Sequence, residues 1–160
     1  MPTTTITAEP NSQQIDIERS FSAPAQLAYR AMNDPELVER WLGPRRYETV
    51  MERNDLRDGG TWRFINRDAD GNEFGFHGVY HGEPSVERVV RTFEFEGTPG
   101  RVSLESLGLV EHEGTTTMHV RSVFQSVEDR DAMIAAGMEG GVIESYERLD
   151  TVLAELGVPA

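Results

Sequence analysis

The stretch "AAGMEGGVIESYERLDTVLAEL", residues 135–156, carries the most regular helical pattern in the chain, yet Gly137, Gly140 and Gly141 crowd its start. Met138, Val142, Ser145, Leu149, Val152 and Leu156 recur at helical spacing on one face, with Tyr146 and Leu153 beside them. Glu144, Glu147, Arg148, Asp150 and Glu155 fall on the opposite side. The pattern predicts one amphipathic helix from about Met138 to Leu156, ~28 Å long at about 1.5 Å per residue. A glycine inside a helix costs up to ~1 kcal/mol relative to alanine, so each of the three needs a reason. Gly137 reads as the cap closing a preceding short helix, "SVEDRDAMIAAG" (126–137), which Ser126 opens. Gly140 and Gly141 either permit close packing or leave space over the mouth of a pocket.

Upstream of this helix the signal is strand. "QIDIERSF" (14–21) alternates, and "SAPAQLAYRAM" and "NDPELVERWLGP" then read as two short helices, the second capped by Asp34 and ended by Gly43-Pro44. Six further strands follow, over 46–55, 60–68, 73–82, 87–96, 101–112 and 115–125. The turns "RDGG", "DADGN", "GEPS", "EGTPG" and "EGT" separate them and suit hairpins. Short loops leave no room for parallel crossovers. The expected fold is therefore α+β: a curved seven-stranded antiparallel sheet, two short helices after its first strand, and the long C-terminal helix over it. One helix ~10 Å wide cannot fill a strongly twisted sheet, so an enclosed cavity is the expected remainder. Residues 1–12 are expected to form a flexible lead and 13–157 a single domain.

Composition narrows the function classes. The chain has 160 residues and a formal charge of -13, which argues against nucleic acid and anionic membrane as partners. No apolar run approaches the ~20 residues needed to cross a bilayer, and the N-terminus lacks the pattern of a signal peptide, so the expected compartment is the cytoplasm. Cysteine is absent, which removes disulfides and thiolate chemistry. Lysine is absent too, which removes Schiff-base chemistry and a Walker-type phosphate loop.

"FSAPAQLAYRAMNDPELVERWLGP", "GGTW", "FHGVYHGEPSVERVVRTFEFEG" and "RDAMIAAGMEGGVIESYERLDTVLAEL" together resemble the START/SRPBCC superfamily. The likeness is to the branch named after the activator of the ninety-kilodalton heat-shock chaperone's ATPase, and it runs from about residue 14 to 157. It implies the helix-grip fold with a ligand cavity between sheet and helix. It leaves function open, because the superfamily spans lipid carriers, cyclases and co-chaperone domains.

Candidate site residues follow from the faces of the strands. Trp62 and Phe64 share one face, as do Phe74, Phe76 and Tyr80, and Phe93 and Phe95. Trp41 is expected at the cavity mouth by resemblance. Arg19 and Arg91 stand on apolar sides of their strands, where a guanidinium needs a carboxylate or a ligand anion. His77 and His81 lie four apart, ~13 Å along a strand, too far to share one metal. His77 could instead be a pocket polar group or general base. Trp41, Trp62, Phe64, Phe76, His77, Arg91, Phe93, Met138, Val142 and Tyr146 form the expected ligand-binding set, with no metal and no cofactor. The expected function is binding of a small hydrophobic or amphipathic molecule. A cyclase- or hydrolase-type enzyme working through His77 or Tyr146 is the alternative, and a co-chaperone-like module ranks last. A homodimer is compatible with an edge strand and this charge.

Overall fold

The computed structural model describes residues 3–157. Its strands are β1 (Thr5–Thr7), β2 (Gln14–Phe21), β3 (Glu48–Asn54), β4 (Thr61–Arg67), β5 (Glu73–Val79), β6 (Val89–Phe95), β7 (Val102–His112) and β8 (Thr115–Val123). Helices α1 (Ala25–Asn33) and α2 (Pro35–Trp41) follow β2, and α3 (Val127–Ala135) and α4 (Met138–Leu156) follow β8. All strands pair antiparallel in one open sheet, in the order β1-β2-β8-β7-β6-β5-β4-β3.

The sheet has eight strands where seven were expected. The extra one is β1, inside the stretch read as a flexible lead, where Ile6 pairs with Ile17 at the sheet edge. A three-residue strand is too short for alternation to show in sequence. Met1 and Pro2 lie outside the described residues.

Local chemistry sets the helix ends. The Asp34 backbone N–H donates to the Arg30 carbonyl at 2.9 Å, ending α1, while its carboxylate accepts from the Glu36 amide at 3.1 Å, opening α2. One residue thus serves two helices. Ser126 accepts from the Asp129 amide and caps α3. Gly137 takes φ 88°, a left-handed conformation that L side chains resist, and so joins α3 to α4.

The other two glycines have weaker reasons. A Cβ on Gly141 would stand 3.5 Å from Pro44 Cγ, an ordinary contact, and one on Gly140 would meet nothing within 4 Å. Packing does not require either. Gly140→Ala is therefore expected to stabilise the protein by up to ~1 kcal/mol through helix propensity alone. Urea unfolding checks this, and a loss of stability would mean that the position is strained.

The core divides in two. One cluster joins Ile15, Ile17, Phe21, Met118 and Val120 of the sheet to Ala28 and Ala31 of α1, Trp41 of α2, and Leu149 and Val152 of α4. The other holds Trp62, Phe64, Tyr80 and Val89 over the far half of the sheet. Tyr29 and Leu42 pack against both. The long helix thus packs into the β2-β8-β7 half, and a seam remains between the clusters.

Side chains on the flanks of α4 anchor it, a role its polar face did not suggest. Arg19, only 3% exposed, makes two hydrogen bonds of 2.6 Å to the Asp150 carboxylate and a third to Thr4 at 3.1 Å. Arg148 donates to the Gly43 and Arg40 carbonyls, and Ser145 accepts from the Gly43 amide at 2.8 Å. Asp150 and Arg148, placed on the solvent side by the helical pattern, are corrected to flank positions that tie α4 to β2 and to the end of α2.

Candidate functional site

Strand alternation builds the site. On β6, Val89, Arg91 and Phe93 share the concave face, and the register partner of Arg91 on β7 is Glu105. The Arg91 Nε–H donates to Glu105 Oε1 at 2.8 Å. The guanidinium carbon lies 4.1 Å from the ring centroid of Trp62, a cation–π distance. From there an aromatic row crosses the sheet: Trp62 to Phe64 at 5.8 Å, Phe64 to Phe76 at 4.8 Å, and Phe76 to Phe93 at 5.6 Å between centroids.

Helix α4 packs against the neighbouring cluster of the β2-β8-β7 half. Tyr146 meets Phe21 edge-on at 5.9 Å and Trp41 at 6.2 Å, and Met138 and Val142 lie on the same inward stripe, half-buried. Burial raises the Tyr146 phenol well above its ordinary value; Glu105 pushes the same way, and Arg91 and Arg19 oppose it. At neutral pH it is a protonated donor. Burial pulls Arg91 down, but Glu105 and the Tyr80 phenol outweigh it, so Arg91 stays charged.

Exposure inside the fold is the telling feature. Trp62 is completely covered, whereas the Arg91 side chain above it is 29% exposed and Glu105 21%. Phe76, Phe93 and Tyr146 are also half-buried, although all face inward. Arg91 and Glu105 thus face inward and keep contact with solvent.

Trp62 adds a second irregularity. Among the described residues, its Nε1 is the buried side-chain polar atom that has no hydrogen-bond partner. It lies against Gly78, where an added Cβ would stand 2.7 Å from Nε1 and 1.9 Å from the Thr92 carbonyl oxygen.

Two expected site residues fall elsewhere. Trp41 is corrected from the mouth to the core: it is 6% exposed and its indole N–H donates to the Ala31 carbonyl at 2.9 Å. His77 is corrected to the outer face, because Phe76 beside it points inward and a strand alternates. There its Nδ1 lies 2.8 Å from Glu96 and its Nε2 3.5 Å from Glu94. Arg91 faces inward as alternation demands, and Arg19 does too, but Asp150 occupies it. Glu105 was not among the expected residues, although Ser103, Glu105, Leu107 and Leu109 share a face.

The outer face has its own charge cluster, in which Arg63 donates twice to Glu96 at 2.8 Å and also engages Glu52. The Arg63 hydrogen bonds, followed by that of His77, bring the Glu96 carboxyl from 4.5 down to about 2. A depressed folded-state value gives stability that is present above pH 4.5 and lost as pH falls towards 2. The melting temperature of the wild type is therefore expected to drop further across that window than that of Glu96→Gln, which has no such contribution to lose. Equal drops would show that solvent screens the cluster. A groove of about 380 Å³ runs beside it along Arg63, Gly75, Phe95 and Glu96. Another of about 550 Å³ crosses Asp16, Glu18, Ser106, His119 and Arg121. Both lie outside the sheet, on the side away from Arg91 and Glu105.

Comparison with known proteins agrees with this fold. The family described as "Activator of Hsp90 ATPase homolog 1-like protein" matches residues 22–154. The chain belongs to that family. The match brings with it the START/SRPBCC superfamily, and the long α4 against a curved antiparallel sheet is its helix-grip architecture. A solution structure from Arthrobacter aurescens superposes with a TM-score of 0.86 at 25% identity, covering 98% of this chain and 92% of that one. A crystal structure from Rhodobacter sphaeroides gives 0.86 at 25%, covering 94% and 98%. One from Mycobacterium smegmatis gives 0.84 at 20%, covering 94% and 97%, which speaks to fold alone. No curated protein matches the sequence. The fold is one that binds ligands, and no helix among the described residues is long and apolar enough to cross a membrane.

Proposed function

We propose that this protein binds a small amphipathic molecule in the space between the β5–β7 part of the sheet and the N-terminal half of α4. The apolar part of the ligand lies along Phe76, Phe93, Met138 and Val142, over a floor of Trp62 and Phe64, and its polar end meets Arg91 and Glu105. The observation that carries this reading is an ion pair set deep in the fold yet still accessible. A charged pair needs hydrogen bonds beyond its own to be worth burying, and a ligand can supply them. With His77 on the outer face, a cyclase- or hydrolase-type reaction keeps only Tyr146, whose phenol is held protonated by burial. The co-chaperone reading rests on the family's description alone.

Titration with Nile red, a neutral apolar dye, tests the reading. Saturable binding is expected in the wild type. Val142→Phe, which fills the space from the helix side, is expected to keep its melting temperature and lose the dye. Absence of saturable binding, or dye binding unchanged in a folded Val142→Phe, would overturn the proposal.

A further inference from the structure

The chemistry of the polar end can be carried one step further, resting on the reading above. We infer that the ligand's polar end is a neutral group with a hydrogen-bond donor and acceptor side by side, of the primary-amide kind, and that a carboxylate is selected against.

Arg91 and Glu105 sit opposite each other on neighbouring strands, so donor and acceptor reach the site together. Among the described residues, their mutual hydrogen bond engages Nε on one side and Oε1 on the other. The Tyr80 hydroxyl also lies against the guanidinium, so part of its terminal N–H edge and Glu105 Oε2 remain for a visitor. An amide matches that edge, its carbonyl accepting from Arg91 and its N–H₂ donating to Glu105.

An anion matches only half of it. A carboxylate drawn to Arg91 would lie beside the charge of Glu105 at a largely buried pair that solvent screens only in part, and like charges so placed are selected against. Among the described residues, Arg19, also inward on its strand, does not offset this, because it is held by both oxygens of Asp150. The remaining polar groups at the site, Tyr146, Tyr80 and the Trp62 Nε1–H, are neutral. The formal charge of -13 on the whole chain works in the same direction.

Calorimetric titration of octanamide and octanoate at neutral pH separates the possibilities, because the two probes share their tail. Octanamide is expected to bind at least ~10-fold more tightly, since like-charge juxtaposition at an interface is costly. Glu105→Gln keeps the shape and removes the negative charge, so octanoate affinity is expected to rise at least ~10-fold and the preference for octanamide to disappear. Octanoate binding as well as octanamide to the wild type would overturn the inference, whatever the variant does. So would a folded Glu105→Gln that leaves the ratio unchanged. If Nile red binds while octanamide has no advantage, only the ligand class is wrong. If Nile red, octanamide and octanoate all fail to bind, the binding proposal falls with it.

Discussion

Replacing Arg91 with methionine is expected to cost about 3 kcal/mol of folding stability, and adding Glu105→Leu is expected to recover most of it. The single change leaves a carboxylate facing the concave side of the sheet with no cation, and removes the guanidinium from the face of Trp62. Breaking a buried pair costs ~3–5 kcal/mol, and the remaining exposure of Glu105 puts this one at the low end. The double variant replaces both charges with apolar groups of similar size, which is close to neutral in many proteins. Urea unfolding of the wild type, both single variants and the double variant gives the coupling directly. A coupling below ~1 kcal/mol would mean that the pair behaves like a surface salt bridge and that the seam is wet and open.

Gly78→Ala is expected to be comparably harmful, about 3 kcal/mol or more, at the upper end of what overpacking costs. The new methyl would stand 1.9 Å from the Thr92 carbonyl oxygen, which is backbone of the adjoining strand and cannot swing away. The ladder is already irregular at this point. β5 and β6 pair at Phe76↔Phe95 and His77↔Glu94, then again at Tyr80↔Arg91, while the Val79 amide donates to the Thr92 hydroxyl at 2.9 Å instead of to a carbonyl. Gly140→Ala supplies the contrast. The same substitution has opposite signs at the two sites, because one methyl meets backbone and the other meets open space. Equal behaviour of the two variants would refute that contact argument.

Much of this architecture was legible in sequence, for a physical reason. Alternation has a period of two, so Ile15, Ile17 and Phe21 or Trp62 and Phe64 announce both the strand and its buried side. The same rule placed Arg19 and Arg91 inward. The expected site broke that rule by including both Phe76 and His77, which are neighbours on one strand and so face opposite sides. Glu105 was harder to see because Leu104 and Val110 lie on the outer face of the same strand, 46% and 63% exposed, and blur its alternation. Contacts between distant parts of the chain left no local signal. Nothing near Arg19 points to Asp150, and Trp41 turns into the core because a carbonyl of α1 accepts its indole N–H. The two ends of the chain's polar economy, an occupied Arg19 and a partly free Arg91, become distinguishable only when α4 is in place.

The measurement that bears most directly on the proposed binding space is a two-dimensional ¹⁵N–¹H spectrum of the protein titrated with octanamide. The chain has two tryptophans and so two indole N–H resonances. That of Trp41 is held by the Ala31 carbonyl, while that of Trp62 lies unpartnered beneath Arg91. The expected result is a saturable shift of the Trp62 resonance, together with the amides of Arg91, Glu105 and Val142, while the Trp41 resonance moves little. Saturable shifts confined to outer-face residues such as His77 and Glu96, with Trp62 unmoved, would contradict the account.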